Sequence, residues 1–226
     1  MIAHVYARAR EAGLVDAVLV ATDDPRIAEA VDGFGGTAVM TRADHPSGTD
    51  RLAEVAAHLS ADLIVNLQGD EPMLDPASVD AAIAPLLADP TIELGTLRTP
   101  LGPGDADNPH VVKVVVNLAG DALYFTRAAV PFQRPGHPVA PAWRHLGLYV
   151  YRRETLLRLA QLPPTPLEQS EGLEQLRALE HGIRLHTVAV PAASPSVDTP
   201  EDLARVRLLM EDPPHATLTE KMSPYA

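Results

Sequence analysis

Short apolar runs alternate with longer amphipathic stretches in the first part of the chain. The runs at 17–21 and 63–67 are typical of buried strands, and a shorter strand is predicted over 37–40. The pattern predicts helices over 2–12, 25–33, 49–58 and 76–88. This alternation is typical of an α/β domain whose largely parallel sheet is covered by helices on both faces.

The pattern changes after about residue 92. Strand-like runs follow at 93–98, 111–116, 122–126 and 145–151, with Pro, Gly and Asn turns between them, which suggests antiparallel pairing or an inserted subdomain. Helices over 152–160 and 167–181, a strand over 184–190 and a helix from residue 199 complete the order. We expect one domain over residues 1–210 and a flexible, polar tail over 211–226.

Charge and composition exclude several classes of function. The 226 residues contain 18 Lys and Arg against 30 Asp and Glu, a formal net charge of -12. Such an acidic protein is not expected to bind nucleic acid or an anionic membrane, because both require a basic surface. The absence of Cys excludes disulfides, zinc–thiolate sites and cysteine nucleophiles. The start of the chain does not resemble a signal peptide, and no apolar run approaches the ~18 residues of a membrane helix, so we expect a cytoplasmic protein.

Two acidic segments follow predicted strands. Asp70 lies in the turn 68–72, directly after the strand over 63–67, where ligands bind in open α/β sheets. Asp198 precedes the last helix. Two carboxylates from distant segments suit metal-assisted phosphoryl or nucleotidyl transfer. The alternative is that Asp70 belongs to an ordinary turn and that Asp198 or Thr199 caps the helix.

A third candidate segment is the loop 41–51. Arg42 offers a planar guanidinium for a phosphate or a base edge, and Ser47 and Gly48 allow close backbone approach at a helix start. The alternative is that Ser47 or Thr49 simply caps the following helix.

Two further sets of residues share a face of one predicted element. Strand alternation places His145, Gly147, Tyr149 and Tyr151 together, as a pocket wall or as one side of a half-exposed strand. Helical spacing places Glu168, Glu171 and Gln175 on one face, and such a face is usually only solvated.

Together these motifs resemble the 3-deoxy-manno-octulosonate cytidylyltransferase family, the CMP-Kdo synthetases. The resemblance covers residues 1 to 210 in the family's order, with Gln68-Gly69-Asp70-Glu71-Pro72 and Arg144-His145-Leu146-Gly147 among its motifs. The other matching strings lie at 20–23, 41–45, 47–49, 51–54, 108–109, 112–115, 122–127, 166–168, 173–177 and 197–203.

The resemblance implies a three-layer nucleotide-diphospho-sugar transferase-like fold, with a mainly parallel central sheet and an antiparallel insertion. It implies a Mg²⁺-dependent cytoplasmic homodimer that transfers CMP from CTP to the anomeric hydroxyl of 3-deoxy-D-manno-octulosonate (Kdo). Pyrophosphate is released, and the product serves lipopolysaccharide biosynthesis.

The resemblance also implies roles for individual residues. By position, Asp70 and Asp198 look like the catalytic, metal-binding carboxylates. The nucleotide-binding segments are matched by Arg42, Ser47, Gly48 and Gln68. The segments that line the sugar pocket are matched by Arg127, His145, Tyr149, Glu168, Glu171 and Gln175, and Arg127 is expected to pair with the sugar carboxylate.

The family begins with a strand and a basic, glycine-containing loop that grips the CTP phosphates, whereas Met1 here aligns with the start of the first helix. We expect a chain that starts late through a misplaced start codon, because the downstream motifs are intact. The alternatives are a truncated, inactive remnant that only dimerises or binds sugar, and another sugar-acid nucleotidyltransferase.

Overall fold

The computed structural model describes residues 1–211, which form eight helices and eight strands. The helices are Ile2–Arg10 (α1), Pro25–Gly33 (α2), Gly48–Ala56 (α3), Pro76–Ala88 (α4), Arg153–Leu159 (α5), Pro166–Glu171 (α6), Gln175–Glu180 (α7) and Pro200–Glu211 (α8). The strands are Val20–Thr22 (β1), Ala38–Met40 (β2), Leu63–Asn66 (β3), Leu94–Pro100 (β4), Lys113–Val116 (β5), Ala122–Thr126 (β6), Trp143–Arg152 (β7) and Leu185–Ala189 (β8). None of these helices has the length and apolar character needed to cross a membrane. Beyond Glu211, the expected tail lies outside the described residues.

Side chains at the helix starts explain why several helices begin where the sequence predicts. Asp24 and Asp75 accept hydrogen bonds from backbone N–H groups in the first turns of α2 and α4, and a proline follows each of them. Ser47 does the same for α3, where its Oγ accepts from the Asp50 N–H at 3.3 Å. The predicted helices 25–33 and 76–88 are confirmed to the residue.

Strand β7 is the centre of a six-stranded mixed sheet. It pairs antiparallel with β4 along one edge, while β3 and β5 share its other edge. Strand β8 is parallel to β4, and β6 is antiparallel to β5. Four of the six strands, β3, β4, β5 and β8, run in the same direction, as a mainly parallel sheet requires. Most of the pairings are nevertheless antiparallel, because β7 runs the opposite way and separates β4 from β3 and β5. Strands β1 and β2 form a separate parallel pair.

Two apolar clusters cover the two faces of the six-stranded sheet and make three layers. On one face, Val79, Ile83 and Leu86 of α4 pack with Leu148 and Val150 of β7. On the other face, helices α3, α5 and α7 contribute to a cluster that includes Tyr151 of β7. Successive side chains of a strand point to opposite faces, so alternate residues of β7 reach different layers. The α/β class and the three-layer architecture are confirmed.

The predicted helix over 167–181 is wrong, because the chain forms two short helices there. Gly172 ends α6 in a left-handed conformation with φ of 62°. A residue with a Cβ adopts this conformation only with strain. The predicted strand over 17–21 also differs, since pairing starts only at Val20. The break at Gly172 turns the chain before Gln175, where α7 begins.

Candidate active site

A cavity of about 390 Å³ lies on the sheet face that carries α3, α6 and α7. Its walls are β7, the end of β3, the start of α3 and the turn between α6 and α7. Apart from β7, the polar lining residues are Thr49, Asn66, Gln68, Glu174, Gln175 and Arg177. Amide and hydroxyl groups dominate this set, which suits a ligand with many hydroxyls.

One face of β7 forms the floor of this cavity. His145, Gly147, Tyr149 and Tyr151 all line it, so the predicted shared face is confirmed as a pocket wall. Burial lowers the pKa of His145 to about 3, and its Nε2 lies 3.0 Å from the Thr96 hydroxyl. Burial raises the pKa of both tyrosines above their usual value. These three side chains are therefore uncharged at neutral pH and act as neutral hydrogen-bonding groups.

A hydrogen bond across the cavity joins two of its walls. The Thr49 hydroxyl, in the first turn of α3, donates to Glu174 Oε2 at 2.6 Å. The Thr49 and Asn66 side chains lie near the Tyr151 hydroxyl and partly oppose the rise that burial causes in its pKa. The start of α3 and the α6–α7 turn are thus joined directly.

Of the residues expected to bind nucleotide, Ser47 and Gly48 lie at the start of α3, Gln68 follows β3 and Arg42 follows β2. Gly48 and Gln68 line the cavity, and a Cβ on Gly48 would meet no described atom within 4 Å. Ser47 lies next to Gly48 and caps α3, as the alternative interpretation held. Arg42 is exposed outside the cavity lining, with its Nε 3.4 Å from Asp44 Oδ1.

The two predicted metal-binding aspartates are brought together by the backbone. The Val197 N–H donates to the Asp70 carbonyl oxygen at 2.9 Å, which fixes the segment before α8 against the turn after β3. The pKa of Glu71 is raised to about 7, mainly by burial and also by the charges of Asp70 and Asp198, which Arg144 partly opposes. Asp70 and Asp198 therefore both lie within electrostatic reach of one buried carboxyl group.

Asp198 does not cap α8. Thr199 takes that role, because its Oγ1 accepts from the Asp202 N–H at 3.1 Å and donates to Asp202 Oδ2 at 2.8 Å. Asp198 is exposed and receives a hydrogen bond of 3.3 Å from the Ser196 hydroxyl. Its carboxylate is left available to a ligand.

A second, smaller cavity of about 80 Å³ lies on the opposite face of the sheet, where Leu97 and Leu148 of its lining belong to the α4 cluster. Glu71, Arg144 and Ser196 line it, and it shares His145 and Gly147 with the main cavity. The turn after β3 therefore borders both cavities, the main one through Gln68 and the smaller one through Glu71.

The donor set fits a magnesium ion that also binds substrate. Within residues 1–211, no group of three or more His, Asp or Glu side chains forms a ready-made metal cage. Mg²⁺ usually takes one or two carboxylates together with water and phosphate oxygens. The Asp70 and Asp198 pair meets that requirement.

Glu168 was expected in the sugar pocket, but it lies beside the cavity in a buried ion pair. Arg177 donates to its two carboxylate oxygens at 2.8 and 2.5 Å, and the Thr165 N–H donates at 3.0 Å. Burial alone would raise the pKa of Glu168, but these hydrogen bonds lower it. The proposed common helix face of Glu168, Glu171 and Gln175 is wrong because Gly172 separates the helices. Gln175 alone of the three lines the cavity.

Glu171 and Arg127 bind each other next to the same wall. Glu171 accepts from the Thr126 hydroxyl at 2.6 Å and from the Arg127 N–H at 2.9 Å. The Arg127 guanidinium donates to the carbonyl oxygens of Glu171 at 2.8 Å and of Pro109 at 3.0 Å. Contact of Arg127, Glu168 and Glu171 with a sugar stays a prediction.

Sequence reasoning did not select several cavity residues. Asn66 lies two residues before Gln68, and strand alternation was a signal for it. Thr49 was considered only as a helix cap. Arg177 had no local signal, because its burial depends on Glu168 from the neighbouring helix.

Comparison with known proteins places the chain in a family. Residues 1–185 match the sequence model of a family described as cytidylyltransferase. The chain is 54% identical over 215 residues to the 3-deoxy-manno-octulosonate cytidylyltransferase of Syntrophotalea carbinolica, covering 91% of this chain and 86% of that protein. The chain belongs to this cytidylyltransferase family. The protein of the same name from Myxococcus xanthus is 54% identical over 212 residues, covering 93% of this chain and 85% of its own length.

Solved structures agree with the family assignment. A CMP:2-keto-3-deoxy-manno-octonic acid synthetase complexed with CTP is 48% identical, with a TM-score of 0.90, and the match covers 93% of this chain and 87% of that one. A 4-diphosphocytidyl-2C-methyl-D-erythritol synthase is 16% identical, with a TM-score of 0.60 over 92% of this chain and 89% of that one. At this low identity, the second structure shows only that the two proteins share a fold.

Proposed function

We propose that this protein transfers CMP from CTP to the anomeric hydroxyl of Kdo and releases pyrophosphate. The chain is 54% identical to a 3-deoxy-manno-octulosonate cytidylyltransferase. The observation that carries the proposal is the arrangement of the cavity and the two aspartates in this chain. The polar cavity is lined by Gln68, from the turn that carries Asp70, and the Val197–Asp70 backbone hydrogen bond holds Asp198 next to that turn. The product would serve lipopolysaccharide biosynthesis, as the family resemblance implies.

The reaction joins two anions without a covalent enzyme intermediate. The anomeric oxygen of Kdo forms a bond to the α-phosphorus of CTP, the bond to the pyrophosphate oxygen breaks, and the hydroxyl proton leaves to solvent or a nearby base. The protein must hold both reactants within attacking distance despite their mutual repulsion.

The cavity supplies the sugar side of this reaction. His145, Tyr149 and Gln175 present neutral donors and acceptors to the hydroxyls of Kdo. Arg127 and Glu171 contact each other next to Gly172, which lines the cavity. We assign these two residues and Glu168 to the sugar pocket, where they would support the α6–α7 turn.

The start of α3 and the turn after β3 supply the nucleotide side. The exposed guanidinium of Arg42 is suited to a phosphate or a base edge. Gly48 and Gln68 border the cavity, so a nucleotide bound there would lie next to the sugar, with Ser47 fixing the backbone of α3.

Asp70 and Asp198 would hold Mg²⁺. A bound ion would neutralise phosphate charge and orient the reactants. The buried Glu71 carboxyl group interacts electrostatically with Asp70, Arg144 and Asp198.

We also propose that the protein is a cytoplasmic homodimer. Both statements rest on the family resemblance, and size-exclusion chromatography with light scattering tests the dimer: a mass of one chain would contradict it.

A pyrophosphate-release assay with CTP, Kdo and Mg²⁺ tests the function. We expect release that requires all three, and weaker release when a sialic acid replaces Kdo. Asp70→Asn should lower kcat by more than the roughly 100-fold that losing an outer-shell partner costs. Asp62→Asn is the matched control, because Asp62 is exposed just before β3. Turnover by Asp70→Asn at the level of the control would contradict the metal role, and a preference for sialic acid would contradict the choice of sugar.

A further inference from the structure

Two side chains on one face of α3 hold the loop 41–47. Arg51 and Glu54 are three residues apart, so both point to the same side of the helix. The loop lies between β2 and the start of α3 and contains Arg42 and Ser47. The sequence motif 51–54 that carries both side chains has no role in the reaction described above.

Glu54 binds the loop at two points. Its Oε2 accepts the Arg42 backbone N–H at 3.2 Å, and the same oxygen is hydrogen-bonded to Nε2 of His45. Because a carboxylate only accepts hydrogen bonds, Nε2 of His45 carries the proton. The hydrogen bond from His45 lowers the pKa of Glu54, so this carboxylate is charged at neutral pH. The His45 side chain is only 5% exposed, which shows that the loop packs closely on α3.

Arg51 binds the start of the loop and the end of the neighbouring strand. Its Nη1 donates to the Thr41 hydroxyl at 2.5 Å and lies 3.0 Å from Asp23 Oδ1, just after β1. The Thr41 N–H donates to the Thr22 carbonyl oxygen at 2.9 Å, which continues the β1–β2 pairing. Arg51 therefore fixes the point at which the loop leaves β2.

These contacts fix the backbone of the loop and leave one side chain outside. Glu54 binds the backbone of Arg42, whereas the Arg42 side chain is 68% exposed. We propose that Arg51 and Glu54 are positioning residues that hold the loop 41–47 in the conformation in which Arg42 reaches the nucleotide. This inference rests on the proposed function, since it assigns Arg42 to CTP.

Calorimetric titration of CTP into the full chain tests the inference without turnover. Glu54→Ala removes both acceptor contacts and should weaken CTP binding about tenfold, the equivalent of roughly one charged hydrogen bond. Glu54→Gln retains a carbonyl oxygen as acceptor and should recover most of the affinity. KM for CTP should rise in Glu54→Ala while KM for Kdo stays near the wild-type value. Amide exchange in 41–47 should be faster.

Thr41→Val tests the Arg51 contact, because it removes one acceptor at nearly constant volume. We expect weaker CTP binding and faster exchange at the start of the loop. This variant also gives a result if Glu54→Ala does not fold. The control is Glu29→Ala, an exposed position on α2, which should leave both readouts unchanged.

Two outcomes overturn the inference. One is wild-type CTP affinity in Glu54→Ala and Thr41→Val, and the other is unchanged amide exchange in 41–47. If the unmodified chain binds no CTP, the proposed function fails instead, and the exchange experiment still decides whether Arg51 and Glu54 hold the loop.

Discussion

His145 shows how burial of one residue determines both its charge and a pH dependence. Its side chain lies against Phe125, with ring centroids 4.9 Å apart, and near Tyr149 at 5.4 Å. The folded protein holds the ring neutral, with a pKa of about 3 against an ordinary value of 6.5. Between these values the unfolded chain binds one more proton than the folded chain. The stabilising effect of neutral His145 is therefore present above about pH 6.5 and is lost as the pH falls.

We expect His145→Gln to flatten this dependence. For the wild type, the His145 contribution at pH 5 should be about 2 kcal/mol smaller than at pH 8. Urea unfolding of both proteins at the two pH values measures the difference. The loss of stability on acidification should be about 2 kcal/mol smaller in the variant. An identical loss in both proteins would show that His145 is charged when folded.

Gly147 shows how a single missing side chain leaves room in the cavity. In residues 1–211, the nearest atom to a Cβ at this position is Gln68 Cγ at 4.0 Å, so no protein atom requires glycine there. We expect Gly147→Ala to change the free energy of unfolding by about 0.5 kcal/mol or less. Its kcat/KM should fall, because the methyl group occupies space at the pocket floor.

Gly95 provides the contrast, since its Cβ would lie 2.7 Å from Leu86 Cδ1. Gly95→Ala should lose roughly 1–3 kcal/mol of stability. Unfolding curves and kinetics of both variants test the pair, and full activity of Gly147→Ala would mean that the substrate does not approach Gly147.

At the scale of elements, local signals predicted the helix starts well. Asp24 and Asp75 predict the starts of α2 and α4, because an N-cap and the proline after it depend only on neighbouring residues of the first helical turn. The break at Gly172 was missed, because glycine is also tolerated inside a helix and the left-handed turn depends on packing against β6. Arg177 was missed for a similar reason, since its partner Glu168 lies across that break.

Lys113 connects three elements from a fully buried position. Its Nζ donates to the carbonyl oxygens of Asn108 at 2.9 Å, Val111 at 2.8 Å and Arg127 at 2.5 Å. These bonds join the loop before β5 to the end of β6. Burial lowers the pKa of Lys113, and the three acceptors compensate for part of that cost.

We expect Lys113→Met to destabilise the protein by roughly 3 kcal/mol, because it leaves one buried and two part-buried carbonyl groups without this donor. Urea unfolding measures the loss. The control is the exposed Arg10 on α1, whose replacement by Met should cost about 0.5 kcal/mol or less. Equal stability of the two variants would mean that water replaces the ammonium group.

At the scale of the whole molecule, the sequence predicted the α/β class and the residues that meet at the sheet end. Asp70 and Asp198 are far apart in sequence, and both their positions next to predicted elements and the family resemblance suggested the pair; the structure adds the backbone hydrogen bond from Val197 to Asp70. The position of β7 between β3 and β4 was not predicted, because strand order depends on long-range pairing. That position places the His145 face beside the acidic turn.

The central claim is that this chain forms CMP-Kdo. Phosphorus NMR of the purified protein with CTP, Kdo and Mg²⁺ tests it directly, because it distinguishes the product phosphodiester from CMP. We predict that the CTP signals are replaced by one phosphodiester signal and by pyrophosphate in equal molar amounts. Unchanged CTP signals, or CMP without the phosphodiester, would contradict the claim.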